Sequence, residues 1–266
     1  MVFLYDGTYE GFLSAVFDAY ALKTEPRDII SMERDYQEEL GARHHHVETC
    51  DAKADRLMAG MKLNGGGIAG RTMTAFLSWV PDRELILYRY IVLGFRIKNA
   101  IHLKLDDDTV RAVNGMISLT EREKYKWKGF LRFSVLDNNL FYAEMSPECN
   151  VLTLIMPHFE RRMGTTPFLV HDRTFKQVGL YDAREWVVRS SEGLTLPEFH
   201  ADEKKYRYLW KLFYDTTAME FRANDKQRRQ VMPKRYRQHV TEMQEQTYAG
   251  AFDEQPIMIG GRKLLT

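Results

Sequence analysis

The stretch KGFLRFSVLDNNLFYAEM, residues 128–145, marks the point at which the hydrophobic period of the chain changes. Before it, apolar residues recur at helical spacing, whereas within it they alternate with polar residues as in a half-buried strand. The polar triplet DNN at residues 137–139 interrupts the alternation and is a turn signal. Two strands, over residues 130–136 and 140–145, are therefore predicted to form a β-hairpin.

The chain before this stretch is predicted to be mainly helical. A short strand at residues 3–5 precedes a helix over residues 8–22, for which Thr8 is a suitable capping residue. A second strand is expected at residues 43–49. The further helices predicted in this half begin near Asp51 and cover residues 71–79, 83–98 and 107–125.

The chain after the stretch continues with short strands and two helices. A helix is expected over residues 157–163, because Pro157 is acceptable at the first position of a helix and costly in its interior. The strand and helix order around it is ββαβββ, which indicates an antiparallel sheet with helix cover. The remaining predicted elements are strands over residues 167–171, 175–181 and 185–189 and an amphipathic helix over residues 201–222.

Together these patterns predict an α+β fold: a mainly helical N-terminal half, then an antiparallel sheet covered by helices, with a C-terminal amphipathic helix. We divide the chain into a mainly helical region (1–100), an α+β region (101–248) and a weakly ordered tail (249–266). No window approaches about 18 uninterrupted apolar residues, and the start MVFLYDG at residues 1–7 lacks a basic n-region and a long apolar h-region, so we expect no membrane span and no secretion signal. Cys50 and Cys149 lack a partner motif, which favours a reducing cytoplasm.

Charge is distributed unevenly along the chain, although its net value is only +1. Residues 1–56 contain twelve Asp and Glu against six Lys and Arg, whereas residues 204–239 contain eleven Lys and Arg against three Asp and Glu. A row of cations on a rigid element neutralises phosphates and releases their counterions. The C-terminal region is therefore a candidate nucleic-acid surface, in which Tyr208, Tyr214 and Tyr236 could stack on unpaired bases.

An alternative for the amphipathic helix is a solvated basic face opposite aromatic residues that pack in the core. The apolar stripe of this helix consists of Tyr206, Leu209, Trp210 and Phe213. On this interpretation the aromatic residues inside the helix are structural, and the contacts to phosphate shift to the segment after Arg222.

Two further clusters are candidates for chemistry. Helical spacing places His158 beside Arg161 and Arg162, a set of donors that suits an anion, although these arginines could instead pair with carboxylates of the sheet. In the second cluster, strand alternation points His171 and Asp172 to opposite faces, which argues against a ready-made general-base pair unless a turn reorients the carboxylate.

Metal and phosphate-loop motifs are weak in this sequence. The run His44, His45, His46 contains zinc-ligand types but lacks the helical spacing of a metalloprotease. The three aspartates at residues 106–108 are better explained as a helix start than as a magnesium cluster. The glycine run at residues 65–67 lacks the Gly-Lys-Ser/Thr ending of a phosphate loop and is expected to be a turn. We predict no metal site and no cofactor.

Four segments carry a family signal: YDGTYEGFL at residues 5–13, KGFLRF at 128–133, HFERR at 158–162 and MPKRY at 232–236. Together they resemble an uncharacterised bacterial family of DNA metabolism or DNA repair proteins that contains the DUF4130 domain. The resemblance covers about residues 1–245, with the domain from roughly residue 85 onward. The chain departs from the family at Phe168 and Arg237, where the family usually carries Trp, so no stacking role is transferred to these positions.

The resemblance implies a DNA-repair context. It implies association with a radical-SAM protein similar to spore photoproduct lyase and, in other members, fusion to a uracil-DNA-glycosylase-like domain. The chain itself carries neither the three-cysteine radical-SAM motif nor a glycosylase signature. We therefore transfer the context and not an activity.

Three functions remain open on the sequence. The first is a DNA-repair accessory protein that binds DNA through a basic surface and works with a partner enzyme. The second is a nucleic-acid-processing enzyme that uses His158 or His171 as acid or base, with Arg161 and Arg162 stabilising a charged phosphate. The third is a protein-interaction module that uses the acidic N-terminal half. The predicted nucleic-acid contacts are Arg161, Arg162, Arg222, Arg228, Arg229, Lys234, Arg235, Tyr236 and Arg237.

Overall fold

The computed structural model describes residues 1–33, 41, 43–217, 225–244, 258–259 and 262–263. Its helices are α1 (Tyr9–Ala21), α2 (Asp51–Leu63), α3 (Ile68–Phe76), α4 (Arg83–Ile97), α5 (Asp108–Phe130), α6 (Leu152–Met163), α7 (Glu203–Thr217), α8 (Asp225–Val231) and α9 (Lys234–Arg237). Its strands are β1 (Val2–Tyr5), β2 (Asp28–Ser31), β3 (His44–His46), β4 (Ser134–Val135), β5 (Phe141–Met145), β6 (Phe168–Asp172), β7 (Gln177–Tyr181), β8 (Trp186–Ser190), β9 (Met258–Ile259) and β10 (Arg262–Lys263). Short 3-10 helices cover Lys98–Leu103 and Thr241–Met243.

The predicted α+β class, with a mainly helical first half followed by a sheet, is confirmed. The chain divides into two compact units, residues 1–124 with 148–151 and residues 125–147 with 152–266. In the part of the chain that the structure describes, no helix has the length and hydrophobicity that a bilayer crossing requires. Apart from the antiparallel pair β9–β10, the tail over residues 249–266 lies outside the described residues.

The first unit contains a three-stranded parallel sheet in the order β2-β1-β3. As predicted, Thr8 caps α1: its Oγ1 accepts a hydrogen bond from the N–H of Gly11 at 2.9 Å. The strand β2 was not predicted, because its four residues are too few to show alternation. Its Ile29 is nevertheless buried in the core.

A buried carboxylate lies in the core of the first unit. Glu84 at the start of α4 is fully buried, and its Oε1 accepts hydrogen bonds from the Tyr5 hydroxyl at 3.0 Å and from Arg83 Nε at 3.0 Å. The guanidinium of Arg83 also lies over the ring of Phe76 at 4.6 Å. A buried carboxylate requires partners that replace its lost hydration. The partners of Glu84 lie on β1 and α4, and Arg83 in turn contacts α3, so these interactions connect the three elements.

The second unit contains a five-stranded sheet in the order β4-β5-β6-β7-β8. The predicted hairpin is confirmed: β4 and β5 pair antiparallel around a turn in which Asn139 adopts φ +61°. The sheet is mixed rather than purely antiparallel, because β5 and β6 pair in parallel with Glu144 opposite His171. Parallel neighbours require a crossover, and α6 lies in that connection.

The helix α6 starts earlier than predicted, at Leu152, and Pro157 lies inside it. Four of its apolar residues, at helical spacing, are buried: Leu152, Ile155, Met156 and Phe159. The packing of this apolar face offsets the cost of one interior proline, which removes a single backbone hydrogen bond.

The helix α5 ends later than predicted, at Phe130, so the first hairpin strand shrinks to β4. Trp127 in the last turns of α5 is fully buried, with its ring centroid 4.9 Å from that of Tyr236. Packing against Tyr236, which is distant in sequence, stabilises the end of the helix, although the local alternation of apolar and polar residues favours a strand. At its other end, the Oδ1 of Asp107 accepts hydrogen bonds from the N–H groups of Thr109 and Val110, as expected for a helix start.

Two helical glycines give a test of this packing. A Cβ added to exposed Gly115 in α5 meets nothing within 4 Å, whereas one added to Gly94 in α4 lies 2.7 Å from Cδ1 of Ile68. We expect G115A to raise the free energy of unfolding by about 0.5–1 kcal/mol, because Ala is the better helix former. We expect G94A to lower it by about 1–3 kcal/mol through overpacking. Urea denaturation measures both, and effects of the same sign would contradict the packing described.

Candidate functional site

A cleft of about 660 Å³ opens on the second unit. It is formed by the end of α5, the segment leading into β4, the start of β5, the end of α6, the first half of α7 and the 3-10 helix that begins at Thr241. Its cationic lining residues are Lys128, Arg132, Arg162 and Arg207, and its aromatic ones are Phe133, Phe141, Phe159, Tyr206 and Trp210. The cleft thus combines positive charge with aromatic rings in a volume typical of small-ligand sites.

The aromatic stripe of α7 borders this cleft instead of packing in the core as one interpretation of the sequence expected. Tyr206, Trp210 and Phe213 are 61%, 43% and 58% exposed. Tyr206 and Trp210 line the cleft, while Tyr208 and Tyr214 on the same helix are half-buried. The exposed rings offer flat apolar surface to a ligand, and exposed aromatic surface of this kind marks binding sites.

One buried carboxylate holds two of the lining residues in place. Glu242 accepts hydrogen bonds from Arg132 Nη2 at 2.7 Å and from the indole Nε1 of Trp210 at 2.9 Å. Burial acts to raise the pKa of Glu242, but these hydrogen bonds and the charge of Arg132 lower it below its ordinary value. Glu242 therefore stays ionised and fixes the orientation of the Trp210 ring.

A second carboxylate fixes Arg207. Glu203 accepts from Arg207 Nε at 2.9 Å through Oε1 and from the backbone N–H of Val135 at 3.0 Å through Oε2. Arg207 also donates to Ser134 Oγ at 2.6 Å. Two of the four cations that line the cleft, Arg132 and Arg207, are thus paired with the carboxylates of Glu242 and Glu203.

The sequence-predicted cluster on α6 lies at the edge of this cleft. Arg162 is exposed and lines the cleft, and Arg161 beside it is also exposed. Burial and then the charges of Lys128, Arg162 and Arg161 lower the pKa of His158. His158 is therefore neutral at pH 7 and surrounded by cations, which makes this edge suited to an anion.

The predicted C-terminal contacts divide into exposed and packed residues. Arg229 and Lys234 are exposed. Tyr236 is fully buried, 5.4 Å from the ring of Phe130, so its ring has no face free for a base. Arg235 lies over Tyr236 at 4.8 Å, and Arg237 Nε donates to the carbonyl of Met232 at 3.0 Å. Arg222 and the side chain of Arg228 lie outside the described residues.

A separate polar cluster lies where β5 and β6 end. The Tyr142 hydroxyl donates to Glu144 Oε1 at 2.5 Å, and it accepts from His171 Nδ1 at 3.0 Å since its single hydrogen is already used. Arg173 donates to the same Glu144 oxygen at 3.2 Å. Burial and then Arg173 lower the pKa of His171, while Glu144 acts against them. As alternation predicted, Asp172 points away and its Oδ1 accepts from the backbone of the following turn.

Two members of this region were not identified from the sequence. His239 Nε2 lies 3.0 Å from Ser146 Oγ, the residue that follows β5. The charges of Glu144 and Arg173 both act on His239, which places it beside the cluster at the strand ends. The strand order could have identified this region, because Ser146 follows β5 and Arg173 follows its parallel neighbour β6. The sequence predicted an antiparallel sheet, in which the ends of neighbouring strands lie at opposite edges.

His158 and His171 have different surroundings. His158 is near Lys128 and the α6 arginines, whereas His171 contacts Tyr142 and lies near Arg173. In β3, His45 Nε2 lies 3.4 Å from Asp18 Oδ2, and its ring packs edge-on against Phe3. Among the described residues, no three His, Cys, Asp or Glu side chains come together in a way that could hold a metal ion.

Comparison with known proteins identifies a family match. The family described as "Domain of unknown function (DUF4130)" matches residues 81–242, which include the cleft and the cluster at the strand ends. No curated protein and no solved structure matches the chain.

The role of Glu242 leads to a prediction about stability. We expect E242Q to lower the free energy of unfolding at pH 7 by about 1.5–3 kcal/mol, because hydrogen bonds to a charged group are lost. The folded-state pKa of Glu242 lies below the ordinary value of 4.5, so this stabilisation is present above that value and is lost as the pH falls through the folded pKa. Urea denaturation at pH 7 and at about pH 3 measures the change.

Exposed Glu192 provides the matched control for this measurement. E192Q should change the free energy of unfolding by less than about 0.5 kcal/mol at either pH. If the difference in free energy of unfolding between wild type and E242Q is as large at about pH 3 as at pH 7, the proposed role of the Glu242 carboxylate is contradicted.

Proposed function

The chain belongs to the DUF4130 family, and from the geometry of its second unit we propose that it is a DNA-binding accessory protein of DNA repair. The cleft beside α7 receives an unpaired nucleotide of a DNA strand. Its base stacks on the exposed rings of Tyr206 and Trp210, and its flanking phosphates lie against Arg162 and its neighbours.

The observation that supports this proposal most strongly is the combination of exposed rings and cationic side chains in one cleft. Tyr206 and Trp210 lie on the same face of α7 as the cleft lining, and Trp210 is oriented by its hydrogen bond to Glu242. A ring fixed in this way loses little conformational freedom when a base stacks on it, and each such stack contributes about 1–3 kcal/mol. Bases paired in a duplex have no free face, so the cleft favours single-stranded DNA.

The charge of the cleft supports a phosphate ligand over a neutral one. Arg132 and Arg207 are each paired with a carboxylate and act mainly in shaping the cleft. Exposed Arg162 in the same lining supplies positive charge that a phosphate can reach. Phosphate binding at such residues releases counterions and makes the affinity depend on salt.

The cations outside the cleft extend this surface in the proposal. Arg161 next to Arg162 and the exposed Arg229 and Lys234 are candidate contacts for further phosphates. The end of α5 links the two regions, because Lys128 lies in the cleft while Lys126 lies over the ring of Tyr236 in α9 at 5.3 Å. Tyr236 itself acts as a core residue that holds α9 against α5.

The repair context rests on the family resemblance of the four segments named above. We propose a radical-SAM repair enzyme as the partner and the bacterial cytoplasm as the location. In this arrangement the chain holds the damaged strand while its partner supplies the chemistry.

Oligonucleotide binding across a salt series tests the proposal. We expect fluorescence anisotropy to show binding of a single-stranded DNA oligonucleotide that weakens steeply with salt and exceeds the binding of the matching duplex. R162Q should weaken binding and reduce the slope of log affinity against log salt by about 1. Y206A should weaken binding by about 1–3 kcal/mol with little change in that slope.

Matched controls are available outside the cleft. Arg189 is exposed on β8, the strand at the opposite edge of the sheet from β4, and Tyr20 is 73% exposed on α1. R189Q and Y20A remove the same type of charge and the same type of ring as R162Q and Y206A. Their affinity for single-stranded DNA should stay within about twofold of wild type. Absence of binding at low salt, or equal losses in test and control variants, would reject the cleft as a DNA site and favour a protein-interaction module.

A further inference from the structure

The cluster at the ends of β5 and β6 lies where open sheets with parallel strands place their ligands. Because the two strands are parallel, their carboxyl ends meet at one edge, with Glu144 opposite His171. The next residues along the two strands, Ser146 and Arg173, follow at the same edge, and the backbone N–H of Arg173 donates to the carbonyl of Met145 at 2.9 Å. Side chains that extend beyond such an edge commonly form sites.

The pair Ser146 and His239 has the geometry of a nucleophile and its base. Ser146 Oγ lies 3.0 Å from His239 Nε2, within the range for proton transfer. The amide nitrogen of Gln238 lies 3.0 Å from the same imidazole nitrogen and has only hydrogens to donate. His239 Nε2 is therefore the unprotonated nitrogen, and the Gln238 amide and the Ser146 hydroxyl both donate toward its lone pair.

The surroundings of His239 fix its ring and its protonation state. The ring packs edge-on against buried Trp127, with ring centroids 5.5 Å apart. Burial lowers the pKa of His239, with Glu144 opposing and Arg173 assisting, so the imidazole is neutral and able to accept a proton at pH 7. Ser146 and His239 are both only half-buried, which leaves the pair open to a small ligand.

Arg173 gives the pair a positive neighbour. Its side chain is 58% exposed although it donates to Glu144 at 3.2 Å. A guanidinium has five N–H donors, and one hydrogen bond to Glu144 leaves several to face a ligand. Guanidinium groups match the oxygens of a phosphate better than a neutral carbonyl, which favours a phosphorus centre as the electrophile.

We infer that Ser146, His239 and Arg173 form a phosphoryl-transfer site, separate from the cleft, that acts on a phosphate ester. Ser146 Oγ forms a bond to phosphorus as the bond from phosphorus to the ester oxygen breaks. His239 Nε2 takes the proton of the hydroxyl and passes it to the leaving oxygen, while Arg173 binds the non-bridging oxygens. Water, deprotonated by His239, then attacks phosphorus as the bond from phosphorus to Ser146 Oγ breaks. His239 returns the proton to Oγ, and the product leaves as inorganic phosphate from a monoester or as a phosphate monoester from a diester.

A fluorophosphonate probe tests the nucleophile directly, since it forms the same Oγ–phosphorus bond and releases fluoride. We expect intact-mass analysis of the full chain to show one adduct, and peptide mapping to place it on Ser146. S146A should abolish the adduct, and H239Q should slow its formation about 100-fold through loss of the base. R173Q should slow it about tenfold or more.

Matched variants separate the site from general effects. Ser118 is exposed on α5 and His46 is exposed on β3, and S118A and H46N should label at the wild-type rate. Circular dichroism melting shows whether each variant is folded. S146A changes a single hydroxyl and carries the test if H239Q does not fold.

Two results would overturn the inference: a folded wild-type chain without an adduct on Ser146, or an adduct on Ser146 that H239Q does not slow. Turnover tests the substrate class, with bis(p-nitrophenyl) phosphate expected to be hydrolysed and S146A inactive. Hydrolysis of p-nitrophenyl acetate alone would overturn the phosphate assignment. Because no oligonucleotide is present in these assays, their outcome is independent of DNA binding by the cleft.

Discussion

The parallel pairing of β5 with β6 is the constraint on which both sites of the second unit depend. A parallel neighbour cannot follow through a tight turn, so the chain must cross back over the sheet, and α6 lies in that crossover. The helix buries Phe159 against the sheet and presents Arg162 to the cleft. The same pairing brings Ser146 and Arg173 to one edge, where neither would meet the other in an antiparallel arrangement.

Buried carboxylates determine the shape of the cleft. Glu242 holds Arg132 and Trp210, and Glu203 holds Arg207 together with the backbone of β4. Each carboxylate neutralises one arginine, so these arginines position the walls of the cleft, while exposed Arg162 lies at its edge. A charge buried without partners is costly, and the hydrogen bonds that satisfy these carboxylates therefore also orient the residues around them.

Local features were predictable because neighbours in sequence decide them. Thr8 and Asp107 cap their helices with their own side chains, and the turn at residues 137–139 forms because Asn139 tolerates a positive φ. Alternation along β6 correctly separated His171 from Asp172, since successive side chains of a strand point to opposite faces. The predicted start of α6 was wrong, because the sequence shows the cost of an interior Pro157 but does not show that burial of the apolar face of the helix offsets this cost.

The sequence by itself determined the α+β class, the switch from helix to hairpin near residue 130, and the clustering of cations on α6 and near the C-terminus. Only the tertiary structure decided that β5 and β6 run parallel, that Tyr206 and Trp210 face a cleft, that Tyr236 is buried, and that His239 meets Ser146. Hydrophobic periodicity reports which side of an element is apolar. It does not identify the partner, because contacts between residues far apart in sequence depend on how the whole chain packs.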